Sequence, residues 1–196
     1  MRVIPVIATV LFMAALVVGA RWTVLAIPSV EIKPTPLILE KNEGEQRERR
    51  PREGAIASVP FTIKVDRKNG GSQHMWLGTE EIVPGGRIPR HQHLGQDEIL
   101  LIETGTAHVW LGNQERDVHA GAVVFIPSET WISLKNIGND PITLAFVFSA
   151  PGFDDYLRCT SAAAGERLPA MTIPEVKACQ EKGHVHYASP SDTAPR

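Results

Sequence analysis

Three side chains within the stretch Gly85 to Gly105 have the types and spacing of a metal site: His91, His93 and Glu98. A strand sends alternate side chains to one face, so two histidines two apart point the same way and both imidazoles can grip one ion. Leu94-Gly95-Gln96-Asp97 is long enough for a turn, and Ile99-Leu100-Leu101-Ile102 after it reads as a buried strand with Glu98 at its start. The turn returns Glu98 beside the histidines. Two neutral imidazoles and a carboxylate form a facial ligand set that leaves positions open for water, substrate or dioxygen, as a catalytic metal requires. Such ligands suit iron, manganese, nickel, cobalt or zinc, and nothing in the set selects among them. An inward carboxylate opening an apolar strand needs a cation to offset its desolvation. Once loosened from the ion, Glu98 would also move a proton, which makes it the catalytic candidate.

The other titratable residues read differently. Asp97 has the opposite parity to Glu98 and belongs to the surface. His108 alternates away from Val109 and is read as a non-ligand, and His119 as a solvated turn residue. His74 is a weaker candidate for a fourth ligand, because the residues around it do not fix its face. His184 and His186 are again two apart, but no acid lies near them, so they read as a solvent-facing tail.

The elements that must position these ligands are short strands cut by turns. Phe61 to Val65, His74 to Val83, Ile99 to Thr104, Ala107 to Leu111, Val123 to Ile126, Trp131 to Asn136 and Ile142 to Phe148 are separated by Asn69-Gly70-Gly71, Pro84-Gly85-Gly86, Gly112-Asn113, a turn over Asp117 to Gly121, and Gly138 to Pro141. No helix interrupts them, which argues for an all-β barrel or sandwich. Past Pro151 two helices are predicted. The first spans Phe153 to Cys159 with Phe153, Tyr156 and Leu157 as its apolar stripe, placed over the barrel or its mouth as a lid. The second follows Thr172, whose capping-box partner is Glu175, with Pro174 in the first turn and Gly183 at the end.

The chain of 196 residues allows one domain with extensions. Val3 to Ala20 carries no charge, follows Met1-Arg2 and ends in Val18-Gly19-Ala20, so residues 1–26 read as a cleaved signal peptide or, since about 20 apolar residues span a bilayer, as a membrane anchor. The expected location is periplasmic or extracellular, with residues 3–20 as the membrane contact in the anchored case. Residues 27–54, with Pro28, Pro34 and Pro36 and then five acids and five bases between Glu40 and Glu53, read as a linker, part of which could form a solvated helix. That leaves 55–150 for the barrel and 151–196 for the helical extension and tail. The net charge of -2, with basic residues interleaved among acids, excludes a nucleic-acid footprint. The two cysteines, Cys159 and Cys179, would meet oxidising conditions on export; a disulfide and two free thiols both stay open, since spacing supplies no geometry.

Gly85, His91, His93, Glu98 and Gly105 resemble the first motif of the cupins: a glycine, five residues, H-x-H, four residues, a glutamate, six residues and a glycine. Gly121, Pro127 and Asn136 resemble the second, so the likeness runs over about residues 60 to 150. It implies a small antiparallel β-barrel of jelly-roll type with the metal inside. It also implies a glycine where Glu129 stands and a metal-binding histidine where Ile132 stands. Ile132 coordinates nothing, so either solvent completes the shell around His91, His93 and Glu98, or the site holds no metal. Together with the segment Pro151-Gly152-Phe153-Asp154-Asp155-Tyr156-Leu157, the motifs look like those of the quercetin dioxygenase-like group. The implied function is a divalent-metal-dependent enzyme of oxygenase type for an enolic or aromatic small molecule. The alternatives are a metal-assisted isomerase or decarboxylase, and a metal-free ligand-binding or sensing barrel. Pairing of cupins through strands implies a homodimer.

Overall fold

The computed structural model of the protein describes residues 33–51 and 60–189. The leader expected over 1–26 and the domain boundary expected near Gly54 lie outside the described residues. In chain order the elements are β1 Glu45–Arg49, β2 Pro60–Val65, β3 Trp76–Ile82, β4 Arg87–His93, β5 Glu98–Ile102, β6 Thr106–Leu111, β7 Gln114–His119, β8 Val123–Ile126, β9 Ile132–Asn136, β10 Ile142–Phe148, α1 Phe153–Cys159, β11 Ser161–Ala163, α2 Ile173–Lys182 and β12 Val185–Tyr187. The strands pair antiparallel into two sheets, ordered β11-β1-β2-β3-β10-β5-β8 and β12-β4-β9-β6-β7. This is the expected all-β jelly-roll with two short helices.

Alternation builds the interior. On β5, Glu98, Leu100 and Ile102 are buried while Ile99 and Leu101 face out; on β9, Ile132 and Leu134 point in and Lys135 points out. Burial of each such aliphatic side chain contributes roughly 1.5–3 kcal/mol. The aromatic centre is Trp76, stacked on Phe148 at 4.5 Å with Phe146 edge-on at 5.4 Å. Asn136, the last residue of the second motif, is buried and ties the turn after β9. Its amide donates to the carbonyls of Ile82 and Asp140 and its oxygen accepts from Gly138 N, each at 2.9 Å.

Two segments differ from the sequence reading. Glu45–Arg49, expected within a charged linker, is a strand between β2 and β11. Three of its four charges are answered by residues far along the chain, Glu48 alone being exposed: Glu45 binds Arg158 at 2.5 Å, Arg47 binds Ser161 Oγ at 2.6 Å, and Arg49 lies 3.4 Å from Glu80. Lys64, buried in β2, donates to the carbonyls of Glu40, Lys41 and Glu43 at 2.6 Å each and so anchors the preceding turn. Val185–Tyr187, expected in a solvated tail, pairs along β4 with Val185 opposite His93 and Tyr187 opposite His91. His184 and His186 are exposed, in line with their reading as non-ligands, but the strand they flank is part of the barrel. A smaller difference is β7, which continues to His119 where a turn over Asp117 to Gly121 was expected.

The helices follow their predicted bounds. Thr172 and Glu175 form the capping box, with Glu175 Oε2 2.7 Å from Thr172 N, and Pro174 stands in the first turn. Gly183 ends α2 against the Tyr156 backbone, where any added Cβ would collide. Cys159 and Cys179 are joined in a disulfide that fastens α1 to α2.

Candidate metal centre

His91 and His93 come from the end of β4, in one sheet, and Glu98 opens β5, in the other. The turn from Leu94 to Asp97, with Gly95 at φ 77, carries the chain across. All three side chains point inward and are almost sealed from solvent, with exposures of 4%, 1% and 6%. One ligand atom from each lies within 4.8 Å of the others. The convergence expected from the spacing is therefore present.

Hydrogen bonding orients the set. His91 Nδ1 lies 2.7 Å from the Pro89 carbonyl, which can only accept, so the ring proton sits on Nδ1 and the Nε2 lone pair faces inward. His91 Nε2 is 3.1 Å from His93 Nε2, which is 3.4 Å from Glu98 Oε2. Glu98 Oε2 and His93 Nδ1 have no hydrogen-bond partner. Burial holds His91 down to about 4 and His93 to about 3, with His91 lowered further by His93, and pushes Glu98 up to about 7. The His93–Glu98 contact is thus not an ion pair at neutral pH, because the imidazole is neutral. An inward lone pair beside a buried carboxylate oxygen without a donor is the arrangement that a cation completes. The residues fit a divalent ion.

Around the ligands the walls are aromatic and aliphatic. His93 meets Phe148 edge-on at 4.7 Å and Phe153 of α1 at 4.4 Å, and Tyr187 of β12 stacks on His91 at 5.3 Å. Ile132 on β9 pairs with His91 and is buried, so an apolar side chain fills the place where the resemblance implied a fourth ligand. Glu129, where the resemblance implied a glycine, adopts φ 62, the left-handed region that favours glycine. The backbone there takes a glycine-type conformation with a glutamate in place.

The remaining candidates stand apart. His74 and Asp97 are exposed, and Asp97 Oδ1 accepts from Ser128 N at 2.9 Å. His108 pairs with Asp117 at 2.5 Å on the outer face, and His119 is exposed. Sequence reasoning missed Tyr187 as a wall of the site, although Val185, Tyr187 and the intervening His186 alternate as a strand does. It also missed Arg49, whose charge on the β1 side helps depress His91. No local signal marks a charged residue for burial.

Residues 78–148 match the family model described as Cupin domain. An uncharacterised protein of Methanocaldococcus jannaschii is 35% identical over 66 residues, covering 33% of this chain and 53% of that protein. The uncharacterised protein YrkC of Bacillus subtilis is 27% identical over 108 residues, covering 47% and 58%. The chain spans about half the length of these curated relatives. Among solved structures, a predicted oxalate decarboxylase from Thermotoga maritima superposes with a TM-score of 0.51 at 19% identity, over 58% of this chain and 99% of that one. That likeness concerns the fold. Taken with the two motifs and the two-sheet barrel, these matches make residues 78–148 a cupin domain.

Proposed function

We propose that this cupin is a divalent-metal-dependent enzyme of oxygenase type, with His91, His93 and Glu98 as the metal ligands and an enolic or aromatic small molecule as substrate. The observation that carries this reading is the pairing of three inward ligand groups with apolar walls: Ile132, Phe148, Phe153 and Tyr187 surround the set, and among the described residues no further histidine, cysteine or carboxylate joins it. A bound ion would supply Lewis acidity and, if redox-active, a partner for dioxygen. The chain's own residues do the rest. The Pro89 carbonyl fixes the His91 tautomer, the aromatic walls exclude water and offer flat faces to a planar substrate, and Glu98 is a buried carboxylate placed to hold a proton beside it. Phe153 and Tyr187 must yield to admit a substrate, which makes α1 and β12 the lid. Oxygen uptake with flavonols and catechols by metal-loaded protein tests the oxygenase reading; no uptake with any ion rejects it.

A second reading is favoured by the partnerless Glu98 oxygen: decarboxylation or isomerisation, in which a buried carboxyl returns a proton to carbon. The Thermotoga maritima neighbour's description as a predicted oxalate decarboxylase makes small carboxylic acids the substrates to try. The metal-free binding barrel is tested by elemental analysis of protein purified without chelators, beside His91→Ala and Ile132→His. Near-stoichiometric metal in the wild type, loss in the first variant and tighter retention in the second are the expected outcomes; unchanged content in both would remove the site.

We also propose export. The apolar run Val3 to Ala20 and the Cys159–Cys179 disulfide support it, since disulfides persist in oxidising compartments. Cell fractionation with sequencing of the mature N-terminus tests it and separates a cleaved leader from an anchor.

A further inference from the structure

The outer face of the β12-β4-β9-β6-β7 sheet carries a hollow of about 290 Å³ that takes no part in the metal site. Strand register builds it. Arg87 on β4 stands opposite Lys135 on β9, and Trp110 on β6 stands opposite Ser133 on β9, all on the face turned away from Leu134. Arg90, in the irregular stretch of β4, lays its guanidinium 4.4 Å over the Trp131 ring. Three cations and two tryptophans thus line one concavity, and no carboxylate does among the described residues. Glu115 and Asp117, the acids of neighbouring β7, face His108 at 3.8 and 2.5 Å instead. This is a local excess of positive charge on a chain whose net charge is -2.

The chemistry of the lining defines its ligand. Arginine and lysine side chains hold a carboxylate or phosphate, and indole faces pack on the face of a ring. Ser133 Oγ gives its proton to the Ile88 carbonyl at 3.1 Å, so toward a ligand it can only accept, which calls for a hydroxyl on the ligand. The volume is near the lower end for small-molecule pockets, roughly 300 Å³, and suits a single ring. We propose that this hollow binds a hydroxylated ring compound carrying a carboxylate or phosphate, the class of the sugar acids and sugar phosphates.

Tryptophan fluorescence and calorimetry on the full chain test this, with glucuronate and glucose 6-phosphate as probes and glucose, benzoate and heparin as controls. The expected result is that one or both anionic sugars bind at least about tenfold tighter than glucose and benzoate. Arg87→Gln combined with Lys135→Gln, and separately Trp131→Ala, should weaken that binding about tenfold or more. His91→Ala should leave it unchanged, which separates this site from the metal centre. A preference for glucuronate identifies a carboxylate source, and a preference for glucose 6-phosphate a phosphate source. The exposed Arg87 and Lys135 are changed without touching the core, and circular dichroism checks the fold. Binding of neither sugar below about 10 mM overturns the proposal. So does equal affinity for glucose or benzoate, binding of heparin alone, or full affinity in the Arg87→Gln, Lys135→Gln variant.

Discussion

At the scale of the residue, the candidate site is a balance of burial against charge. Burial keeps both histidines neutral well below their ordinary range and raises Glu98 to about 7, so near neutral pH only the carboxyl still has a proton to lose to an incoming cation. The apparent affinity for a divalent ion is therefore expected to fall about tenfold per pH unit below 7 until imidazole protonation steepens it near 4. Calorimetry in two buffers of different ionisation enthalpy should find about one proton released per ion at pH 6, and none from Glu98→Gln. The linkage has a definite sign for the metal-free protein. Glu98, raised from 4.5 to about 7, leaves the fold less stable as pH rises through that window, by about 3 kcal/mol when complete. His91 and His93, both lowered, act the other way: their contribution is full above the unfolded value of 6.5 and is lost as pH falls toward about 4 and about 3. Saturation with the ion removes the Glu98 penalty, so the metal-induced rise in Tm should grow from pH 5 to pH 8; a rise independent of pH would contradict the ligand assignment.

At the scale of the element, the barrel is completed by pieces from both sides of the motif-bearing stretch. β1 enters through backbone pairing on both edges and through the Glu45, Arg47, Arg158, Asp154 and Asp66 network, in which Arg158 reaches Asp66 at 2.5 Å and Asp154 at 3.2 Å. Buried Asp66 needs this guanidinium, since an unpaired buried charge costs about 3–5 kcal/mol, whereas Asp154 is also reached by Arg67 at 3.5 Å. β12 closes the other sheet over β4 and presses Tyr187 on His91. Tyr187→Ala is expected to destabilise the fold by about 2 kcal/mol and weaken metal retention, whereas Tyr187→Phe keeps both. Thermal melts and metal analysis of the pair check this. The disulfide closes a loop of separation 20 between α1 and α2, so the double change Cys159→Ala, Cys179→Ala should cost about 3 kcal/mol in denaturant unfolding.

At the scale of the whole molecule, the outer face of the larger sheet is unusually apolar. Ile99 pairs with Phe125 and Leu101 with Val123 across β5 and β8, with exposures of 39%, 55%, 39% and 62%. Val147 and Ala145 of β10 continue the two rows inward. An antiparallel sheet with one face in water normally alternates apolar and polar residues. Here both faces of β5 are apolar, which makes these side chains the expected centre of the homodimer that the cupin resemblance implies, with an interface of roughly 800 Å² per partner. Sedimentation should show a dimer for the wild type and a monomer for Val123→Lys combined with Phe125→Glu; a wild-type monomer at high concentration would exclude this face as a self-contact.

What the sequence determined by itself was local. Period-two alternation, glycine turns and a capping box placed most strands and both helices, and fixed spacing placed two histidines and a glutamate on inward positions, because each of these signals is written within about ten residues. The tertiary structure alone decided the rest. Glu45–Arg49 reads as solvated charge until Arg158, Ser161 and Glu80 arrive from distant parts of the chain. Val185–Tyr187 reads as tail until β4 offers it an edge. Cys159 and Cys179 become partners only when α1 and α2 pack with their Cα atoms 5.7 Å apart. Long-range pairing depends on which free donors, acceptors and charges the rest of the fold brings near, and no short window of residues contains that information.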